Sequence, residues 1–303
     1  MTTHIRSVTP KLIALLISFG VCTGNALAKD TQAGSAATTQ AASSASATTD
    51  TGAAVYLPPP RPGIVLADVY GEKGDGSASY ALEDKTVVSF WRGETYEVGG
   101  KRFYTGFAFH APKSDGDDDL PDPETGVGIT QATYLLDDIQ GKPAWTLFHA
   151  QPDVGSFGGY GKPDMPDKTR ATQRYAMKNG HLLLAIPTSR FADGVKTTGF
   201  AILTFDPAKN DLGDYKGWQY VGTAATGEDN GAACDDEGPM KCAVSTGTLN
   251  FVAPKAGVMP TLQIAMQGKV VSGPGKTRTL GASDTRTHVY DSAAKHYTPP
   301  LDR

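Results

Sequence analysis

At 303 residues and a formal net charge of −4, the chain lacks the clustered Lys and Arg that a nucleic-acid backbone demands as a partner. Basic runs such as Lys276–Arg278 are too short to make a phosphate-binding stripe. After the first residues no stretch is long and apolar enough to cross a bilayer, which predicts a mature chain without a transmembrane segment.

The first residues carry the pattern of an export signal. Arg6 and Lys11 precede the apolar run Leu12–Val21, and Ala26-Leu27-Ala28 supplies a small-x-small cleavage site. The run is far shorter than the roughly 20 residues of a membrane span. Residues 1–28 are therefore expected to be removed, leaving Lys29 first. A lipidated Cys22 is the weaker alternative, because Val21 stands where a small residue is wanted. Cleavage removes two basic side chains and no acidic ones, taking the net charge from −4 to −6. The expected location is periplasmic or secreted.

Residues 29–54 are rich in Ala, Ser and Thr with no apolar stripe to bury, and read as a disordered tether. Residues 55–303 read as one all-β domain, opening with the extended proline segment Pro58, Pro59, Pro60 and Pro62. Strands are expected at Val65–Tyr70, Thr86–Trp91, Thr95–Val98, Arg102–His110, Gln131–Leu136 and Trp145–Ala150. Further strands are expected at Thr172–Met177, Leu182–Pro187, Gly199–Phe205, Trp218–Thr223 and Gly247–Ala253. Leu262–Met266, Lys276–Leu280 and Thr287–Asp291 close the series.

Alternation is clearest in Arg102–His110. Phe103, Thr105, Phe107 and Phe109 share one face, while Tyr104, Gly106, Ala108 and His110 share the other. Gly99-Gly100, Asn179-Gly180 and Asp193-Gly194 mark turns, and a type I′ hairpin is expected at Asn179-Gly180. Residues 140–143 mark another turn between two β-rich runs. The fold class is antiparallel all-β, either a large β-sandwich or a propeller-like arrangement of short strands. The echoes Phe109-His110-Ala111 with Phe148-His149-Ala150, and Thr105–Ala108 with Thr198–Ala201, share no common period.

Cys234 and Cys242 are the two cysteines left after cleavage. In an exported chain they are expected to form a disulfide across a short loop, since no His or CxxC spacing favours zinc. Asp115, Asp117 and Asp119 have the alternate spacing of a calcium loop. The sixth and twelfth positions, however, hold Leu120 and Gly126 in place of Gly and Glu. No HExxH or Gly-x-Ser-x-Gly pattern occurs, so His110 and His149, in matching contexts, are the histidines to place first. Asp137, Asp138, Asp153 and Asp206 stand near strand ends, where an acid/base pair could form.

The glycine-rich stretch 155–163 resembles a phosphate cradle only superficially, because no helix pattern follows it. Its aromatic residues Phe157 and Tyr160 are expected either to pack inward or to display a binding loop. Trp91, Trp145 and Trp218 are expected in the core. No cofactor is implied. The expected function is an exported, non-catalytic binding or structural protein of the bacterial cell envelope, acting through loops at the sheet ends. Its partner would be an envelope protein or glycan. The alternative is a secreted glycoside or ester hydrolase using strand-end Asp/Glu or His.

Overall fold

The computed structural model describes residues 57–72, 76–111, 121–208, 217–235, 237–254, 259–299 and 301. The chain divides into two units, Met1–Ala54 and Val55–Arg303, and every described residue belongs to the second. The expected cleavage site, the tether and the Asp115, Asp117 and Asp119 loop lie outside the described residues.

The described residues are nearly all antiparallel β-structure. The first sheet is a meander of β1 (Ser79–Ala81), β2 (Val87–Val98), β3 (Lys101–His110), β4 (Val127–Ile139) and β5 (Lys142–Phe157), paired in that order. The second contains β6 (Met165–Pro166), β7 (Gln173–Ala176), β8 (Leu182–Ala192), β9 (Val195–Phe205) and β10 (Trp218–Asp229). Its order is β10-β9-β8, with β6 and β7 both pairing to the outer edge of β8. The third contains β11 (Ser245–Val252), β12 (Thr261–Gly273), β13 (Lys276–Leu280), β14 (Arg286–Asp291) and β15 (His296–Thr298). There the order is β11-β12-β14-β15, and β13 pairs with the far end of β12.

Turn chemistry sets these registers. Gly99-Gly100 (φ 58° and 72°), Gln140-Gly141 (55° and 79°) and Asp193-Gly194 (51° and 77°) each place two residues at positive φ between paired strands. That is the type I′ geometry whose twist matches a hairpin. At Asn179-Gly180 only Gly180 is left-handed, at φ 82°. The Gly180 N–H reaches the Met177 carbonyl at 3.0 Å and the Met177 N–H reaches that of His181 at 2.9 Å. This turn is the longer type I form closed by a left-handed glycine, not the expected I′ form.

Val65–Tyr70 is not a strand. Helix α1 (Pro62–Tyr70) occupies it, with proline in its first turn and Gly71 at φ 71° ending it. Val65, Leu66, Val69 and Tyr70 recur at helical spacing, and Val65 and Leu66 are fully buried against the first sheet. Their β-branched and aromatic character suits a strand, but burial of that stripe prevails. Gly106 permits the close approach, since a Cβ there would stand 2.5 Å from a Val65 methyl.

The sheets stack as layers, a sandwich-like arrangement. Phe103 and Phe107 of the first sheet meet Leu182, Leu184, Ile186, Leu203, Phe205 and Trp218 of the second. On the second sheet's other face, Leu183, Ala185, Phe200 and Ile202 meet Leu249, Leu262 and Ile264 of the third. Having both faces covered explains why Leu182–Ile186 is an unbroken apolar run and not an alternating one.

Cys234 and Cys242 are joined by a disulfide, eight residues apart in sequence. It closes the connection from β10 to β11, which Asn230 also clamps. The Asn230 amide donates to the Lys241 carbonyl at 2.9 Å and accepts from the Ala243 N–H at 2.7 Å. Loop-closure entropy for so short a loop is worth about 2.5 kcal/mol. Reduction should therefore lower the unfolding free energy by that amount, read as a lower urea midpoint, without unfolding the domain in buffer. Labelling of both thiols in unreduced, denatured protein would contradict the bond.

Candidate functional site

The two histidines in matching contexts do not share a site. His110 in β3 stands opposite Gly128 in β4, on the face that α1 covers, and its ring fills the space a Gly128 side chain would take. His149 in β5 stands opposite Thr133, on the face turned toward the second sheet. Its Nδ1 lies 3.4 Å from the Gln131 amide nitrogen, and burial lowers its pKa by disfavouring the charged imidazolium.

The strand-end carboxylates hold local structure. Asp137 accepts from the Asp138 N–H at 2.8 Å, and Asp138 accepts from the Gly141 N–H at 2.6 Å, fixing the hairpin tip. Asp206 pairs with His181 (Nε2–Oδ1 3.2 Å) and accepts from the Ala208 N–H at 3.0 Å. At Asp153 it is the backbone carbonyl, and not the carboxylate, that accepts from the Gln151 amide at 2.6 Å.

The glycine stretch is a closed ring. Gly159 and Lys162 exchange both backbone hydrogen bonds at 3.0 Å, and Gly158, at φ 83°, lies so close to Lys162 that no side chain fits there. The Gly161 N–H pins the ring to the Thr125 carbonyl at 2.7 Å. The ring separates its two aromatics. Phe157 is 1% exposed and sits edge-on to Trp91, with ring centroids 4.9 Å apart. Tyr160 is 37% exposed, at φ 54°, and its hydroxyl donates to Asp193 at 3.2 Å. That bond to a carboxylate raises its pKa. Only Tyr160 is on display.

The ring leads directly into a crevice. Trp91 Nε1 donates to the Asp164 carbonyl at 2.9 Å, setting that residue at one end of a cavity of about 200 Å³. Its walls are the ends of β8, β9 and β10 together with Ser245, Met266, Val270 and Arg286 of the third sheet. Register builds the lining. Ser189, Thr198 and Gly227 are cross-strand neighbours in one row, and Arg190, Thr197 and Glu228 form the adjacent row. Adjacent rows turn to opposite faces of the sheet, so the Arg190, Thr197 and Glu228 side chains point away from the face that carries Ser189 and Thr198. Gly227 is required here, because a Cβ would overlap the Ser245 carbonyl.

The crevice is electrically mixed. Two acidic residues, Asp164 and Glu228, and two basic ones, Arg190 and Arg286, are among those that line it. Arg190 Nε stands 3.8 Å from Asp164 Oδ1, an ion pair too long to be a hydrogen bond. Among the described residues, neither the Arg286 guanidinium nor the Glu228 carboxylate joins a hydrogen bond or ion pair. Beneath the walls, Arg170 donates to the Thr188 and Gly199 carbonyls at 2.8 and 2.9 Å and to the Thr226 hydroxyl at 3.1 Å.

A second, open groove of about 540 Å³ runs between Leu57–Arg61 and β5. Its polar groups engage one another. Tyr134 donates to Asp68 at 2.5 Å, and Trp145 Nε1 reaches the Leu57 carbonyl at 3.4 Å. The crevice is the more polar of the two, with hydroxyl and charged residues in its lining. Sequence inspection passes over its charged residues because they come from separate strands with no shared motif. The one local signal is hydroxyl enrichment at Thr188-Ser189-Arg190 and Lys196-Thr197-Thr198, on either side of the Asp193-Gly194 turn. Compared with protein-family models, curated proteins and solved structures, the chain matches none.

Proposed function

We propose that this is an exported, non-catalytic binding protein of the cell envelope, periplasmic or secreted, which holds a polar part of an envelope molecule in the crevice at the sheet ends. The observation that carries the reading is the lining. Hydroxyls and charges of both signs surround a space below the roughly 300–1,000 Å³ of sites for drug-sized molecules. Such a space takes one unit or one end of a larger partner. Co-sedimentation with insoluble cell-wall material tests it. The wild-type chain should sediment, and Arg286→Glu should weaken retention by at least about tenfold through charge reversal at the wall.

A hydrolase is the second reading, and one observation favours it: Asp164 and Glu228 both line the crevice. Two carboxylates on one cleft are what acid–base glycoside cleavage requires. Release of reducing ends from the sedimented material, lost in Glu228→Gln, would replace the binding reading with this one.

A further inference from the structure

We infer that the outer face of the third sheet is a docking surface for a neutral, unbranched polysaccharide chain. This goes beyond the crevice, which the third sheet borders with its inner face. Leu249, Leu262, Ile264 and Met266 turn toward the second sheet, so the residues alternating with them in β11 and β12 point outward. Register lines these up in rows. Asn250, Gln263 and Thr287 stand side by side across β11, β12 and β14. Thr246 stands beside Gln267, whose amide donates to its hydroxyl at 3.3 Å. From Thr246 to Val252, Thr261 to Gln267 and Thr287 to Val289, every outward side chain is uncharged, although 20% of the chain is charged. Among the described residues, the side chains of Thr248, Gln263 and Thr287 join no hydrogen bond.

Charge, area and chemistry choose the occupant. A charged polymer would be stripped of water against a face that offers no counter-charge. A second copy or another protein would find too little room. Three strands about 4.8 Å apart, with outward residues about 7 Å apart, cover about half the roughly 800 Å² that each partner buries in a stable interface. The outward side chains of these stretches also include no Trp, Tyr or Arg, the anchors on which such interfaces depend. A neutral polysaccharide repeats hydroxyls and apolar CH patches along its length. Threonine answers with a hydroxyl and a methyl, and each Asn or Gln amide both donates and accepts. With no aromatic ring to stack on a single sugar, affinity has to come from several rows engaged at once.

Sedimentation of the purified chain with cellulose, chitin and curdlan particles tests this. At least one of them should retain it, and the hexasaccharide of that glycan should release it at a concentration at least about tenfold below the disaccharide. Thr248→Glu with Thr287→Glu, both exposed, should weaken retention by at least about tenfold while circular dichroism is unchanged. Thr248→Ser with Thr287→Ser should preserve it. Arg286→Glu, on the inner face of β14, should leave it intact. Retention on none of the three particles overturns the inference, as does retention that survives the glutamate pair. If binding to cell-wall material still depends on Arg286, the crevice reading stands in either case. Loss in Arg286→Glu in place of the glutamate pair moves the glycan to the crevice and overturns the outer face as its site. A wild-type dimer in sedimentation equilibrium that the glutamate pair dissociates makes the face a contact between copies, and overturns the inference too.

Discussion

Replacing Trp218 with alanine is expected to destabilise the domain by about 3–5 kcal/mol, the range for truncating a fully buried aromatic side chain. Trp218 has no exposed surface and stacks on Phe205 at 4.9 Å, with Phe107 edge-on at 5.0 Å. It also anchors a polar network inside an apolar core. Its indole N–H is shared between the hydroxyls of Thr105 at 3.2 Å and Thr133 at 3.1 Å. Those hydroxyls bond each other at 2.8 Å, and Tyr96 and Gln131 extend the chain. Its backbone is held by Gln151, whose amide accepts from the Trp218 N–H at 3.1 Å and donates to its carbonyl at 2.9 Å. One side chain of β5 thus imitates a paired strand and joins the first sheet to the second. Trp218→Phe separates the contributions. It keeps most of the ring contact but deletes the donor, and should cost about 1–3 kcal/mol from the unsatisfied network. Denaturant midpoints would decide it, and a cost below about 1 kcal/mol for Trp218→Ala would refute the network's role in joining the sheets.

The network also shows where sequence reading stops. Thr105, Gln131, Thr133 and Gln151 occupy inward positions of strands whose alternation was visible, yet polar residues there give no sign of one another. Only the register of β3, β4 and β5 brings them into line. Turn glycines were legible because positive φ is a property of the residue itself, as at Gly99-Gly100 and Asp193-Gly194. Gln140-Gly141 follows the same rule, with Gln140 held left-handed by the hairpin it closes. Helix α1 was misread because propensity is a local preference, while the sheet face that captures Val65 and Leu66 is not local. The short strands β1 and β15 carry too few residues to show a period. The crevice was least legible, since its charged residues stand more than 120 positions apart, from Asp164 to Arg286, and meet only through sheet stacking.

Arg170 is the position where stability and the crevice coincide, and Arg170→Ala should cost about 2–4 kcal/mol. Its guanidinium lies 4.8 Å from the centre of the Phe200 ring, and Nε donates to Asp167 at 2.7 Å. Truncation would strand the Thr188 and Gly199 carbonyls inside the fold and loosen the walls they belong to. The loss should depend on pH. Asp167 is held down to about 2, first by the Thr169 hydroxyl and further by the Thr169 N–H and Arg170. A carboxyl depressed in the folded state adds stability above its unfolded pKa near 4, and that addition fades as pH falls toward 2. Removing Arg170 takes away only its share, because the Thr169 bonds remain. The gap between wild type and Arg170→Ala should therefore narrow between pH 5 and pH 2, while the carbonyl bonds keep it from closing. Arg170→Lys, with a single ammonium in place of a planar fork, should recover the acid-sensitive part and little of the rest. Urea titrations at three pH values would measure this, and a gap that widened with acid would rule out the Asp167 linkage.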